Sequence, residues 1–129
     1  MTDEHGWPPI RFVDAEKVNP FQVLLELHNQ TIGRPATPSR HDVLAELALA
    51  AAVVSWWSRW QPMSIHAALR AGADLADIAT ATGLDPADVV QRWLRWTDVQ
   101  TRLTIGGRPA VDVEEVRTIQ RRLQAEMDQ

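Results

Sequence analysis

The chain has 129 residues, 45% of them hydrophobic, with 13 basic and 17 acidic side chains and a net charge of −4. That length can bury a core without staples, and the absence of cysteine excludes disulfides and thiolate metal centres. An acidic total speaks against a general nucleic-acid coat protein. The longest apolar run, 47–57, broken by Ser55, is too short to span a bilayer and is no N-terminal signal, so a cytoplasmic location is expected.

Residues 1–19 mix Gly6, Pro8, Pro9 and charged side chains without a helical period. They read as a flexible N-terminal arm with a short extended piece at 10–13. Residues 20–129 then read as a single helical domain. Pro20 opens a helix to about residue 30, with Phe21, Leu24, Leu25 and Leu27 as its apolar side. Gly33, Pro35 and Pro38 force a loop. The longest helix is expected over 39–60, where Ser39 and Asp42 have the spacing of a capping box. Val43, Leu47, Ala50, Val54 and Trp57 repeat along it at steps of four and three, and Leu44, Ala48, Ala51 and Ala52 make the other side apolar as well. A helix apolar nearly all round is buried, in the core or against another chain. Pro62 should end it, with a short helix over 63–71 burying Ile65, Ala68 and Leu69 and stopping at Gly72.

Residues 74–96 carry the most informative pattern. Asp74 and Asp77 open a short helix containing Ile78 and Ala79. Gly83 supplies the backbone freedom for a sharp corner, Leu84 follows as an apolar anchor, and Asp85-Pro86 starts a second helix in which Val89 turns back toward the first. This arrangement resembles the helix-turn-helix of many bacterial repressors and sigma-like factors, over about a fifth of the chain. The resemblance implies an all-α helical bundle that binds double-stranded DNA through its second helix. That helix should run over 86–103, with Val89, Trp93, Trp96 and Leu103 on one side and Asp88, Gln91, Arg92, Arg95 and Arg102 on another. Gly106-Gly107 can close a two-residue hairpin, giving a small C-terminal wing with Arg102 and Arg108 on it, or else the segment is a loop. A last helix over 111–127, capped by Asp112, carries the stripe Val113, Val116, Ile119, Leu123 and Met127. That stripe suits core packing or, by its heptad steps, pairing with a second copy.

Charge is unevenly distributed. Residues 1–58 hold four basic and seven acidic side chains, a balance of −3, whereas 91–111 hold Arg92, Arg95, Arg102 and Arg108 against Asp98, a balance of +3. A local basic patch on an acidic protein can bind DNA with strong salt dependence. Gln91, Arg92 and Arg95 are the expected DNA contacts, and Arg102 and Arg108 the clamps on flanking phosphates. Six tryptophans accompany no tyrosine. Trp57, Trp60, Trp93 and Trp96 are expected in the core. Trp56 lies off the main stripe and is the expected partner contact, with Trp7 as a second anchor.

His5, His28, His41 and His66 lack metal-ligand spacing, and the chain has no nucleophile elbow, phosphate-binding glycine loop or dinucleotide fingerprint. No enzyme activity, cofactor or metal is therefore expected. The expectation is a sequence-specific DNA-binding protein, a small transcriptional regulator of a bacterial or mobile-element gene. A symmetric dimer would have the long helix or the C-terminal helix at its seam. The alternative is a protein-interaction module, antitoxin-like or a phage adaptor. It draws on the acidic total and on Asp85 and Asp88 at the start of the second helix, where proteins of this fold enter the groove.

Overall fold

The computed structural model describes residues 6–129, so His5 lies outside the described residues. It is all-α, with six helices and one two-stranded antiparallel sheet among the described residues. The chain divides into two compact units, Met1–Arg59 and Trp60–Gln129, each with its own buried cluster, in place of the single core expected over 20–129. The boundary falls inside one helix, within a turn of Pro62.

The first unit contains α1 (Phe12–Ala15), α2 (Pro20–Ile32) and α3 (Arg40–Arg70) as far as Arg59. Residues 6–19 are more than an arm. Pro9 and Ala15 are buried, α1 occupies part of the segment expected to be extended, and the Trp7 indole N–H donates to Glu26 at 3.1 Å. Asn19 caps α2 by accepting from the Phe21 N–H at 2.8 Å, with Pro20 at the first turn. At α3 the expected capping box forms: the Asp42 N–H donates to the Ser39 hydroxyl and the Ser39 N–H to the Asp42 carboxylate, both at 3.0 Å.

The core of this unit gathers Ala15, Val23, Ala48, Leu49 and Ala52, with Val18, Leu27 and Val53 packed against it. The buried side of α3 is thus the small-residue side. The stripe Val43, Leu47, Val54 and Trp57 is exposed. Alanines let neighbouring backbone approach closely, which a face built of leucine, valine and tryptophan does not allow. Trp57 and Trp60 correspondingly lie exposed and not in a core. Trp56 is half-buried, edge-on to Phe21 with ring centroids 5.6 Å apart.

Pro62 does not end the helix, and α3 continues through it to Arg70. Proline removes one donor, leaving the Ser58 carbonyl without its helical partner. The turns beyond it are held by burial of Ile65, His66 and Leu69, which outweighs one missing bond.

The second unit contains the remainder of α3, then α4 (Leu75–Thr82), α5 (Pro86–Arg102), the hairpin β1 (Thr104–Ile105) and β2 (Arg108–Pro109), and α6 (Val113–Met127). Its core is Ile65, Leu69, Leu75, Ile78, Val89, Trp93, Val116, Ile119 and Leu123. Asp112 caps α6 by accepting from the Glu114 N–H at 2.9 Å. Val116, Ile119 and Leu123 of the α6 stripe are therefore spent on this unit's own core, while Val113 is half-buried outside it and Met127 is exposed. The hairpin pairs Thr104 with Pro109 and Ile105 with Arg108 around Gly106-Gly107. Both glycines have positive φ, +61° and +81°, the conformation that a two-residue turn matching strand twist requires. No helix among the described residues is long and apolar enough to cross a membrane.

Candidate nucleic-acid interface

The candidate surface is built on the α4–α5 corner. Asp74 and Asp77 form a reciprocal capping box at the start of α4, with N–H to carboxylate distances of 2.7 and 3.1 Å. At its end Gly83 adopts φ +73° and donates its N–H to the Ala79 carbonyl at 2.8 Å. The Thr82 hydroxyl donates to the Ile78 carbonyl and accepts from the Leu84 N–H, which fixes the exit from the corner. Asp85 caps α5 by accepting from the Ala87 N–H. Leu75 and Ile78 of α4 then meet Val89 and Trp93 of α5 in the core, so α5 can roll very little about its axis.

A buried polar contact fixes that roll further. The Trp93 indole N–H donates to His66 Nδ1 at 3.0 Å, and the two rings stack with centroids 6.2 Å apart. Trp96, half-buried, has its ring tilted toward His66 with centroids 5.0 Å apart. Burial pushes the His66 pKa below its ordinary value; Glu115 opposes that shift and Arg70 adds to it. Both the acceptor role and the burial favour neutral imidazole.

With α5 held in this way, Asp88, Gln91, Arg95, Asp98 and Arg102 fall on one exposed face at steps of three and four. Arg102 pairs with Asp98 at 3.1 Å, both strongly exposed, a contact worth little in water. Arg95 and Gln91 make no side-chain hydrogen bond or ion pair among the described residues. Arg108 lies exposed on β2, which packs against α5, and it too has no such partner. Arg92 is turned away: its Nη1 donates to Gln61 Oε1 at 2.9 Å, and it is half-buried. Of the five residues expected at DNA, Gln91, Arg95 and Arg102 thus share a face, Arg108 stands on the hairpin, and Arg92 is a positioning residue. The exposed α5 face balances two guanidinium groups against two carboxylates, and Arg108 leaves the surface at +1. The basic patch is weaker than its sequence window suggested, because Arg92 leaves it and Asp88 joins it.

Three side chains that hold the corner in place are not singled out by any motif in the sequence. Gln61 holds Arg92, and His66 receives Trp93. Arg122 of α6 donates to the Leu69 and Ala73 carbonyls at 3.3 and 2.9 Å, closing the end of α3 and fixing the approach to α4. Arg122 lies beside Ile119 and Leu123 on the α6 wheel, and a charged residue bordering a core stripe was the available signal. Glu126 adds to this by accepting the Leu75 N–H at 3.1 Å. Among the described residues no group of three metal-ligating side chains converges. No protein-family model, curated protein or solved structure matches this chain.

Proposed function

We propose that the second unit is a helix-turn-helix domain that binds double-stranded DNA, in a small cytoplasmic regulator of transcription from a bacterial or mobile-element gene. The observation that carries this reading is Arg95, exposed and unpartnered in the middle of the outward face of α5, one turn from a free Gln91. Arg95 and Arg108 contact phosphates, Gln91 reaches a base edge, and Arg102 exchanges its weak partner Asp98 for phosphate. Asp85 and Asp88 repel phosphate at the first turn of α5, so the helix docks by its middle and C-terminal turns with the hairpin alongside, not by insertion of its N-terminus. Two copies on a two-fold axis present two such faces to paired half-sites.

Three phosphate contacts per copy set the salt dependence. Binding by one copy weakens about 40-fold between roughly 50 and 200 mM salt, with a logarithmic slope near −2.7. Retention of genomic fragments at low salt, followed by selection from a random DNA pool, measures this. Arg95→Ala lowers the slope by about one per copy on any sequence, while Gln91→Ala changes preference at one base pair. Absence of retention at low salt, or an Arg95→Ala variant that binds like the parent, overturns the proposal.

The exposed carboxylates Asp85 and Asp88 favour a second reading, a protein-interaction module that meets a basic partner through the start of α5. In that case Asp88→Asn weakens capture of the partner, whereas on DNA the same change tightens binding.

A further inference from the structure

We infer that the exposed stripe of α3 in the first unit is the seam of a homodimer, in which α3 packs antiparallel on α3 of a second copy about a two-fold axis at Ala50. Val43, Leu47, Val54 and Trp57 are 40, 60, 67 and 44% exposed, with Ala50 half-buried between them. They stand at steps of four, three, four and three, the spacing by which one helix meets another along a seam. The opposite side of the helix, Ala45, Ala48, Leu49 and Ala52, is already buried. The stripe is thus a second apolar face on one helix, and an exposed face of this kind marks an interaction site.

Its chemistry selects the occupant. Between residues 43 and 57 the only charged side chain is Glu46, and it is engaged by Arg34. A partner recognised by charge finds no hold here, whereas an uncharged helix with the same spacing does. The chain itself supplies that helix, and its side chains are self-complementary when reversed. A two-fold axis at Ala50 sets the smallest residue against its own copy, Leu47 against Val54, and the bulky Trp57 against the smaller Val43. A parallel pair instead sets Trp57 against Trp57 and Val43 against Val43, overfilled at one end and loose at the other.

The area is sufficient. The four large side chains offer on the order of 400 Å² of surface per copy. Exposed Ala51 and Ser58 and half-buried Leu44 flank them, bringing a helix-on-helix contact to the low end of specific interfaces, about 600 Å² per partner. The other heptad-spaced helix, α6, is unavailable because Val116, Ile119 and Leu123 are buried in its own unit. An α3 seam rests on the DNA-binding proposal only for its use at paired half-sites, and its test involves no DNA.

Light-scattering mass and sedimentation of the full chain, from about 1 to 100 µM, read the assembly. The parent passes from 14.5 kDa to twice that mass across this range. Leu47→Glu and Val54→Glu, both at exposed positions, keep their helical circular dichroism but weaken the dimer at least about a hundredfold. Ile32→Glu, on exposed α2, leaves the dimer unchanged. Because the chain has no cysteine, single introduced thiols report the direction. Ala50→Cys cross-links to itself, and Leu47→Cys cross-links to Val54→Cys when the two are mixed but not to itself. A parent that stays monomeric, a dimer that survives both glutamates, a dimer lost on Ile32→Glu alone, or efficient self-cross-linking of Leu47→Cys overturns the inference.

Discussion

Acidification is expected to destabilise the second unit through one residue, His66. In the folded chain its Nδ1 accepts the Trp93 N–H, and burial holds its pKa below the ordinary value. In the unfolded chain it titrates near 6.5. Below that pH the unfolded state binds more protons than the folded state, so unfolding free energy decreases as pH falls. Stability from this group is therefore present above the unfolded pKa and is lost as pH drops through it toward the depressed folded value. The slope is limited to about 1.4 kcal/mol per pH unit. Moving from pH 7.5 to 5.5 thus removes at most roughly 1.4 kcal/mol through His66, about three quarters of it below pH 6.5. Urea unfolding followed by circular dichroism and tryptophan fluorescence at half-unit intervals measures the loss. The variant His66→Phe keeps a ring against Trp96 but cannot titrate. It is less stable at every pH, because the buried Trp93 donor is orphaned at a cost of about 1–3 kcal/mol, and its stability is flat across the window. An equal pH slope in parent and variant, or none in the parent, refutes the reasoning.

Other perturbations test the corner and the surface it presents. Gly83→Ala forces a side chain into φ +73° with no atom within 4 Å of the new Cβ, so the cost is conformational alone, about 1–2 kcal/mol; Gly83→Asn loses less, as thermal unfolding will show. Arg122→Met abandons two carbonyls and costs about 1–3 kcal/mol in urea unfolding, whereas Arg121→Met, at an exposed neighbouring position, stays within about 0.5 kcal/mol. Arg92→Ala lowers stability through loss of the Gln61 contact but leaves the salt slope of DNA retention unchanged. Asp98→Asn removes the carboxylate that competes for Arg102 and tightens retention at each salt concentration while the slope, set by the same three contacts, stays unchanged.

Local signals were legible because each is completed within a few residues. Ser39 with Asp42, Asp112 ahead of α6, the glycine at 83 and the pair Gly106-Gly107 all act through hydrogen bonds or backbone angles set by near neighbours. The helix starts and turns they set therefore appeared where expected. The candidate surface was legible in part. Helical spacing placed Gln91, Arg95 and Arg102 together, but Arg92 sits on the same arc and only its contact with Gln61, 31 residues away, separates it from them.

An all-α chain, the caps of α3, α4, α5 and α6, and a glycine corner ahead of an arginine-bearing helix were all legible in the sequence. Tertiary structure alone decided which side of α3 is buried, since both sides are apolar and periodicity cannot choose between them. The side taken is that of Ala48, Leu49 and Ala52, which packs with Ala15 of α1 and Val23 of α2. It likewise decided that helix continues through Pro62, because burial of Ile65 and Leu69 exceeds the loss of one hydrogen bond. Such outcomes depend on volumes and partners brought together from distant parts of the chain, and no local pattern contains them.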